Sequence, residues 1–193
     1  MDRPNPEVTR IAAGVFFILL GTGTYAQPRP DSCQAEIPRS LARAVTAAFP
    51  GYRTPLETDN APEDIKYNQL HGGTGCLGVR TADFTGEDKK DYLIGLSALR
   101  GSGGLTVIAL PKKGGWNFQR IQSWAEDARY RQYVDVVEPG RYERTEAATA
   151  PLGPGEKQSI DCPHWGALVG TIGASRIVYC YKDGRWIHVW ASS

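Results

Sequence analysis

The dipeptide Asp183-Gly184, set between two runs of alternating aromatic and aliphatic residues, constrains this chain more tightly than any other stretch. A two-residue β-hairpin connection of type I′ needs positive φ at both central positions, which glycine adopts freely and aspartate more readily than most residues. The turn sets the pairing: Lys182 opposite Arg185, Tyr181 opposite Trp186, Tyr179 opposite His188 and Ile177 opposite Trp190. Because side chains alternate along a strand, Ile177, Tyr179, Tyr181, Trp186, His188 and Trp190 share one face, while Val178, Cys180, Ile187 and Val189 share the other. The second face is an ordinary core face. The first is unusually aromatic, and Tyr179, Tyr181, Trp186, His188 and Trp190 form a candidate binding surface, since Tyr and Trp stack on sugars or peptide side chains at low entropic cost. The alternative is burial of this face beneath a helix.

The N-terminus reads as an export signal. Ile11 to Gly21 is an uncharged apolar run after Arg3 and Arg10, and Thr24-Tyr25-Ala26 offers the small residues of a cleavage site, so residues 1–26 are expected to be removed. The run is shorter than the roughly 20 apolar residues a bilayer span requires, and the mature chain from residue 27 to 193 is expected to be a single domain without membrane insertion, periplasmic or secreted. The segment removed carries equal numbers of acids and bases, so the net charge stays at +1. Such balance, with no basic run, disfavours nucleic acid as a partner.

All four cysteines (Cys33, Cys76, Cys162, Cys180) lie in the mature chain, and an even number in an exported protein reads as two disulfides. Three connectivities are possible. Cys33–Cys76 would tie the N-terminal segment to the sheet and Cys162–Cys180 would close a loop within the C-terminal strands, and this pairing is the favoured one. A zinc site from Cys162, His164, Cys180 and His188 is the competing reading, which oxidising export disfavours.

Along the chain, Leu41, Ala44, Val45, Ala48 and Phe49 fall on one face of a helix expected over Pro38 to Phe49, stopped by Pro50-Gly51. Tyr52 to Gly75 lacks periodicity and reads as a long loop. Its His71-Gly72-Gly73-Thr74-Gly75 lacks the lysine of a phosphate loop. Strands are expected at Cys76–Val79, Tyr92–Ala98, Leu105–Leu110, from Trp116 onward, and at Gln132–Val137, with Gln122 to Arg131 ambiguous and Tyr142 to Lys157 an exposed loop. The expected class is therefore α+β, a mainly antiparallel sheet of meander and C-terminal hairpin with one N-terminal helix.

Between the first two of these strands lies an acidic loop, Asp83-Phe84-Thr85-Gly86-Glu87-Asp88-Lys89-Lys90-Asp91, followed by Tyr92-Leu93-Ile94. Asp83, Thr85, Glu87 and Asp91 stand at positions one, three, five and nine, a spacing that can turn several oxygens toward one hard cation. The stretch resembles the calcium loops of FG-GAP and VCBS-type modules, with Asp83 and Asp91 at the first and last ligand positions. Thr85 and Glu87 replace the usual Asp or Asn, and Asp88 stands where glycine normally makes the bend. The wider layout also resembles exported bacterial proteins built from a signal peptide, one helix, such a strand pair and a terminal hairpin carrying Tyr181, Asp183, Gly184 and Trp186. The resemblance implies calcium as a cofactor and a supporting or interaction role, not an activity. A solvated hairpin turn, with Lys89 and Lys90 offsetting the acids, is the plainer reading.

Two functional classes follow. The first is a non-catalytic exported module binding a protein or carbohydrate through the aromatic hairpin face. The second is a hydrolase using His164 or His188 as general base beside Asp161 or Asp91. Gly95-Leu96-Ser97-Ala98-Leu99 lacks the second glycine of a nucleophile elbow, so no nucleophile is marked.

Overall fold

The computed structural model describes residues 29–124 and 132–191. The export segment expected over residues 1–26 lies outside them, as does most of the ambiguous stretch before Gln132.

The helical periodicity around Leu41 yields α2, Arg39–Ala48, with Pro38 as N-cap and Phe49 as C-cap; α1, Ser32–Glu36, precedes it. Leu41 and Val45 are fully buried, which is the reason the helix exists: its apolar face covers a sheet. After β1, Tyr52–Arg53, and a 3-10 turn over Glu57–Asp59, the chain forms α3, Pro62–Leu70, where a long loop was expected. Periodicity could not reveal α3, because none of its residues is buried. Its start signals are chemical instead: proline at the first helical position and Glu63 and Asp64 in the first turn, where they face the positive end of the helix dipole.

The first sheet holds β1, β2 (Val79–Ala82), β3 (Asp91–Ala98), β4 (Gly104–Lys112) and β5 (Gly115–Trp124). It is an antiparallel meander with β1 and β2 both on the outer edge of β3. The second sheet runs β11-β10-β9-β6, built from β6 (Gln132–Val137), β9 (Gly166–Thr171), β10 (Arg176–Lys182) and β11 (Arg185–Trp190). A small third sheet pairs β7 (Gly140–Glu143) with β8 (Ser159–Cys162). The fold is α+β and mainly antiparallel, as expected, with short helices near the N-terminus.

Alternation of side chains turns these sheets into stacked layers. Val79, Tyr92, Ile94, Leu96, Leu105 and Val107 pack with α2 on one side of the first sheet. Leu93 and Ile108 point the other way and meet Val134, Ala167, Val169 and Tyr179 of the second sheet. The far side of that sheet, Leu168, Val178, Cys180 and Val189, packs on Ile160 and Cys162 of β8. Successive layers thus bury apolar surface on both faces of both larger sheets.

Two disulfides, Cys33–Cys76 and Cys162–Cys180, staple this stack in the favoured pairing. The first joins α1 to the segment leading into β2, and the second joins β8 to β10 across layers. Two such bonds place the folded chain in an oxidising environment outside the cytoplasm. Among the described residues no helix is long and apolar enough to cross a membrane.

Candidate functional site

The C-terminal hairpin adopts the expected register, with Ile177 opposite Trp190, Tyr179 opposite His188, Tyr181 opposite Trp186 and Lys182 opposite Arg185. Asp183 and Gly184 have φ of 52° and 79°, the positive values the turn requires. Its aromatic face, however, is partitioned. Tyr179 is 6 % exposed and sits in the core between the two larger sheets, with burial pushing its hydroxyl up to about 12. Trp186 lies half-buried against Phe84, and its indole N–H donates to Gln119 of the first sheet. The layer over this face is the first sheet, whereas α2 covers that sheet's opposite side. Tyr181 stacks at 5.3 Å on Trp186, His188 at 5.1 Å on Tyr179, and Trp190 remains 39 % exposed.

The outer edge of β11 is also occupied. Thr145 N–H donates to Trp190 O, Lys157 N–H to His188 O and His188 N–H to Gly155 O, so the segment 144–157 lies along the strand as a strap. Arg144 organises the strap: its Nε donates to Glu156 at 2.7 Å, and its Nη atoms donate to Ala148 O and Ala150 O. Gly153 N–H and Arg144 hold the Glu156 carboxyl below its ordinary range. Strand addition at this edge is thereby blocked.

The acidic loop joins β2 to β3 and satisfies itself. Asp83 accepts from the N–H groups of Gly86, Glu87 and Asp88 at 2.8, 3.1 and 3.0 Å. Asp88 takes the left-handed conformation at φ 55°, as its place at the bend demands. Asp91, 1 % exposed, accepts from Phe84 N–H and from the Thr85 hydroxyl, and Glu87 turns outward to Lys89. Burial raises the Asp91 carboxyl despite those hydrogen bonds. The four oxygen-bearing residues singled out in the sequence therefore have separate partners: backbone N–H groups for Asp83, each other for Thr85 and Asp91, and a lysine for Glu87. Among the described residues no group of three or more His, Cys, Asp or Glu side chains gathers as a metal site.

The histidines are structural neighbours of these features. The His164 ring lies so close over Gly86 that a Cβ there would run into it. His188 is half-buried on Tyr179, and burial lowers its imidazole against the opposing pull of Glu156. Asp91 is committed within its own loop and Asp161 is exposed on β8, opposite Arg141.

A different site emerges where α3 faces β2, β6 and the β9–β10 turn. This cleft has a volume of about 730 Å³, within the range of small-molecule sites. On one wall Tyr67 of α3 and His71, the cap that ends that helix, stack at 4.0 Å, and Tyr67 is 66 % exposed. Tyr133, the guanidinium groups of Arg80 and Arg176 and the carboxylates of Asp64 and Asp135 line the remainder. Arg80 is held by Cys76 O, Val79 O and Asp135, whereas the buried Nε of Arg176 has no hydrogen-bond partner among the described residues. Sequence reasoning missed this site, since Arg80 and Arg176 lie on different sheets. The Tyr67/His71 spacing was the one local signal, hidden because α3 itself went unrecognised.

No protein-family model, curated protein or solved structure matches this chain. Its class rests on the fold alone: a disulfide-stapled α+β domain of stacked antiparallel sheets with a cleft at one sheet margin.

Proposed function

We propose that this protein is a non-catalytic exported binding domain, working in the periplasm or outside the cell, whose ligand is a small anionic organic molecule held in the cleft beside α3. One observation carries this reading: Arg176, whose buried Nε has no hydrogen-bond partner among the described residues, lines a cleft large enough for a ligand. A guanidinium in the cleft lining is matched in charge and fork geometry to a carboxylate or phosphate group of the ligand, the pairing in which arginine hydrogen bonds are strongest. The stacked Tyr67 and His71 rings supply a planar surface for its organic portion.

Thermal-shift and calorimetric titration against a panel of small carboxylates and phosphate esters tests the proposal. A ligand should raise the melting temperature, with affinity reduced about tenfold or more in Arg176→Gln and also reduced in Tyr67→Ala. Tyr67 is exposed, so its loss leaves the core intact. Failure of every compound, or equal binding by both variants, would overturn the assignment.

A further inference from the structure

Two lysine pairs far apart in the chain meet at the other end of the first sheet. Lys89-Lys90 precede β3, and Lys112-Lys113 occupy the β4–β5 turn. The register that sets Tyr92 beside Ala109 and Pro111 beside Trp116 brings both pairs to the rim of one hollow of about 430 Å³. Among the described residues no carboxylate lines it. Lys89 is neutralised by Glu87 at 2.6 Å, leaving Lys90, Lys112 and Lys113 outside any ion pair among the described residues. Asp88 is the other exposed acid on the adjoining loop.

The floor of the hollow is aromatic. Trp116 lies half-buried, fixed edge to face by the buried Tyr92 at 5.5 Å, and the Lys90 ammonium stands 5.6 Å from the centre of the Tyr92 ring. A rigid indole presents a flat apolar face to the C–H groups of a pyranose ring, while ammonium groups around it match charges spread along a polymer rather than one planar anion. Among the described residues the lining holds no guanidinium and no exposed aliphatic wedge suited to a bilayer.

We infer that this lysine-rimmed hollow is a binding surface for acidic oligosaccharides, with a sugar ring on Trp116 and its carboxylates beside Lys90, Lys112 and Lys113. The inference is independent of the cleft beside α3, which lies toward the opposite end of the first sheet's strands.

Titration of the full mature chain with oligogalacturonate, using neutral malto-oligosaccharide, single-stranded oligonucleotide and phosphatidylglycerol vesicles as comparators, tests it. Oligogalacturonate should bind, quench tryptophan fluorescence and weaken with added salt, while the neutral sugar does not bind. The triple variant Lys90→Gln/Lys112→Gln/Lys113→Gln should lose about tenfold in affinity, from three exposed charges, without a matching loss of thermal stability. Trp116→Phe should weaken the sugar further at unchanged salt dependence. Absence of oligogalacturonate binding, equal binding by the triple variant, or stronger binding of vesicles or oligonucleotide than of the sugar would overturn the proposal.

Discussion

Phe84, from the acidic loop, meets Trp186, from the C-terminal hairpin, edge to face with ring centres 6.4 Å apart. Phe84 is fully buried, although acids and lysines make up most of the loop that carries it. The loop is thus anchored in the apolar seam between the two larger sheets, and the hairpin aromatics that read as a surface serve partly to receive it.

Phe84→Ala should destabilise the domain by about 3–5 kcal/mol, because it opens a cavity in that seam. Urea denaturation followed by tryptophan emission measures this directly. A loss below about 1 kcal/mol would mean that the loop does not anchor the sheets.

Asp83 uses its carboxylate on three backbone N–H groups, so the loop should hold its shape through its own hydrogen bonds. Asp83→Asn replaces one acceptor oxygen by a donor facing an N–H, and should cost about 1–2 kcal/mol in chelator-treated protein. The same loss is expected in millimolar calcium. A calcium-dependent rise in melting temperature that disappears in the variant would instead assign the ion to this loop.

Burial holds the His188 imidazole below its ordinary range, and the sign of the pH effect follows. The unfolded chain takes up the proton first, near its ordinary value of 6.5, so this group's contribution is neutral above that pH and destabilising as the pH falls through it. Unfolding free energies measured across this range should decline toward acid. The part of that slope due to His188 should vanish in His188→Phe.

The disulfides close loops with sequence separations of 43 and 18 residues. In the chain-entropy treatment their loss costs about 4 and 3 kcal/mol respectively. Cys33→Ser/Cys76→Ser should therefore lower the denaturation midpoint more than Cys162→Ser/Cys180→Ser, as chemical denaturation of the two double variants would show.

Elements governed by neighbours in the chain were legible. The helix over Arg39–Ala48 announced itself because Leu41 and Val45 recur at helical spacing, and β6 because its valines are followed by the turn residues Glu138-Pro139-Gly140. Helix α3 was not, since a helix with no buried face leaves no periodic trace and only Pro62, Glu63 and Asp64 marked its start. The strand entering the acidic loop begins at Val79, where the sequence pointed to Cys76–Val79, because pairing with Ile94 to Asp91 selects the residues that follow Gly78. The start of the stretch from Tyr142, read as exposed loop, belongs to β7, whose pairing with β8 no local pattern encodes.

The sequence by itself determined the hairpin register, since Asp183-Gly184 restricts the turn's backbone and every pair then follows from alternation; it also carried the fold class, while of three possible disulfide connectivities it favoured the one the structure shows. Only the tertiary structure decided which faces are surface. The Tyr179 face became core because the first sheet covers it, and the acidic residues found partners within their loop. Arg80 met Arg176 across a cleft, and two lysine pairs met around Trp116, because stacked and paired sheets unite residues that the chain keeps far apart.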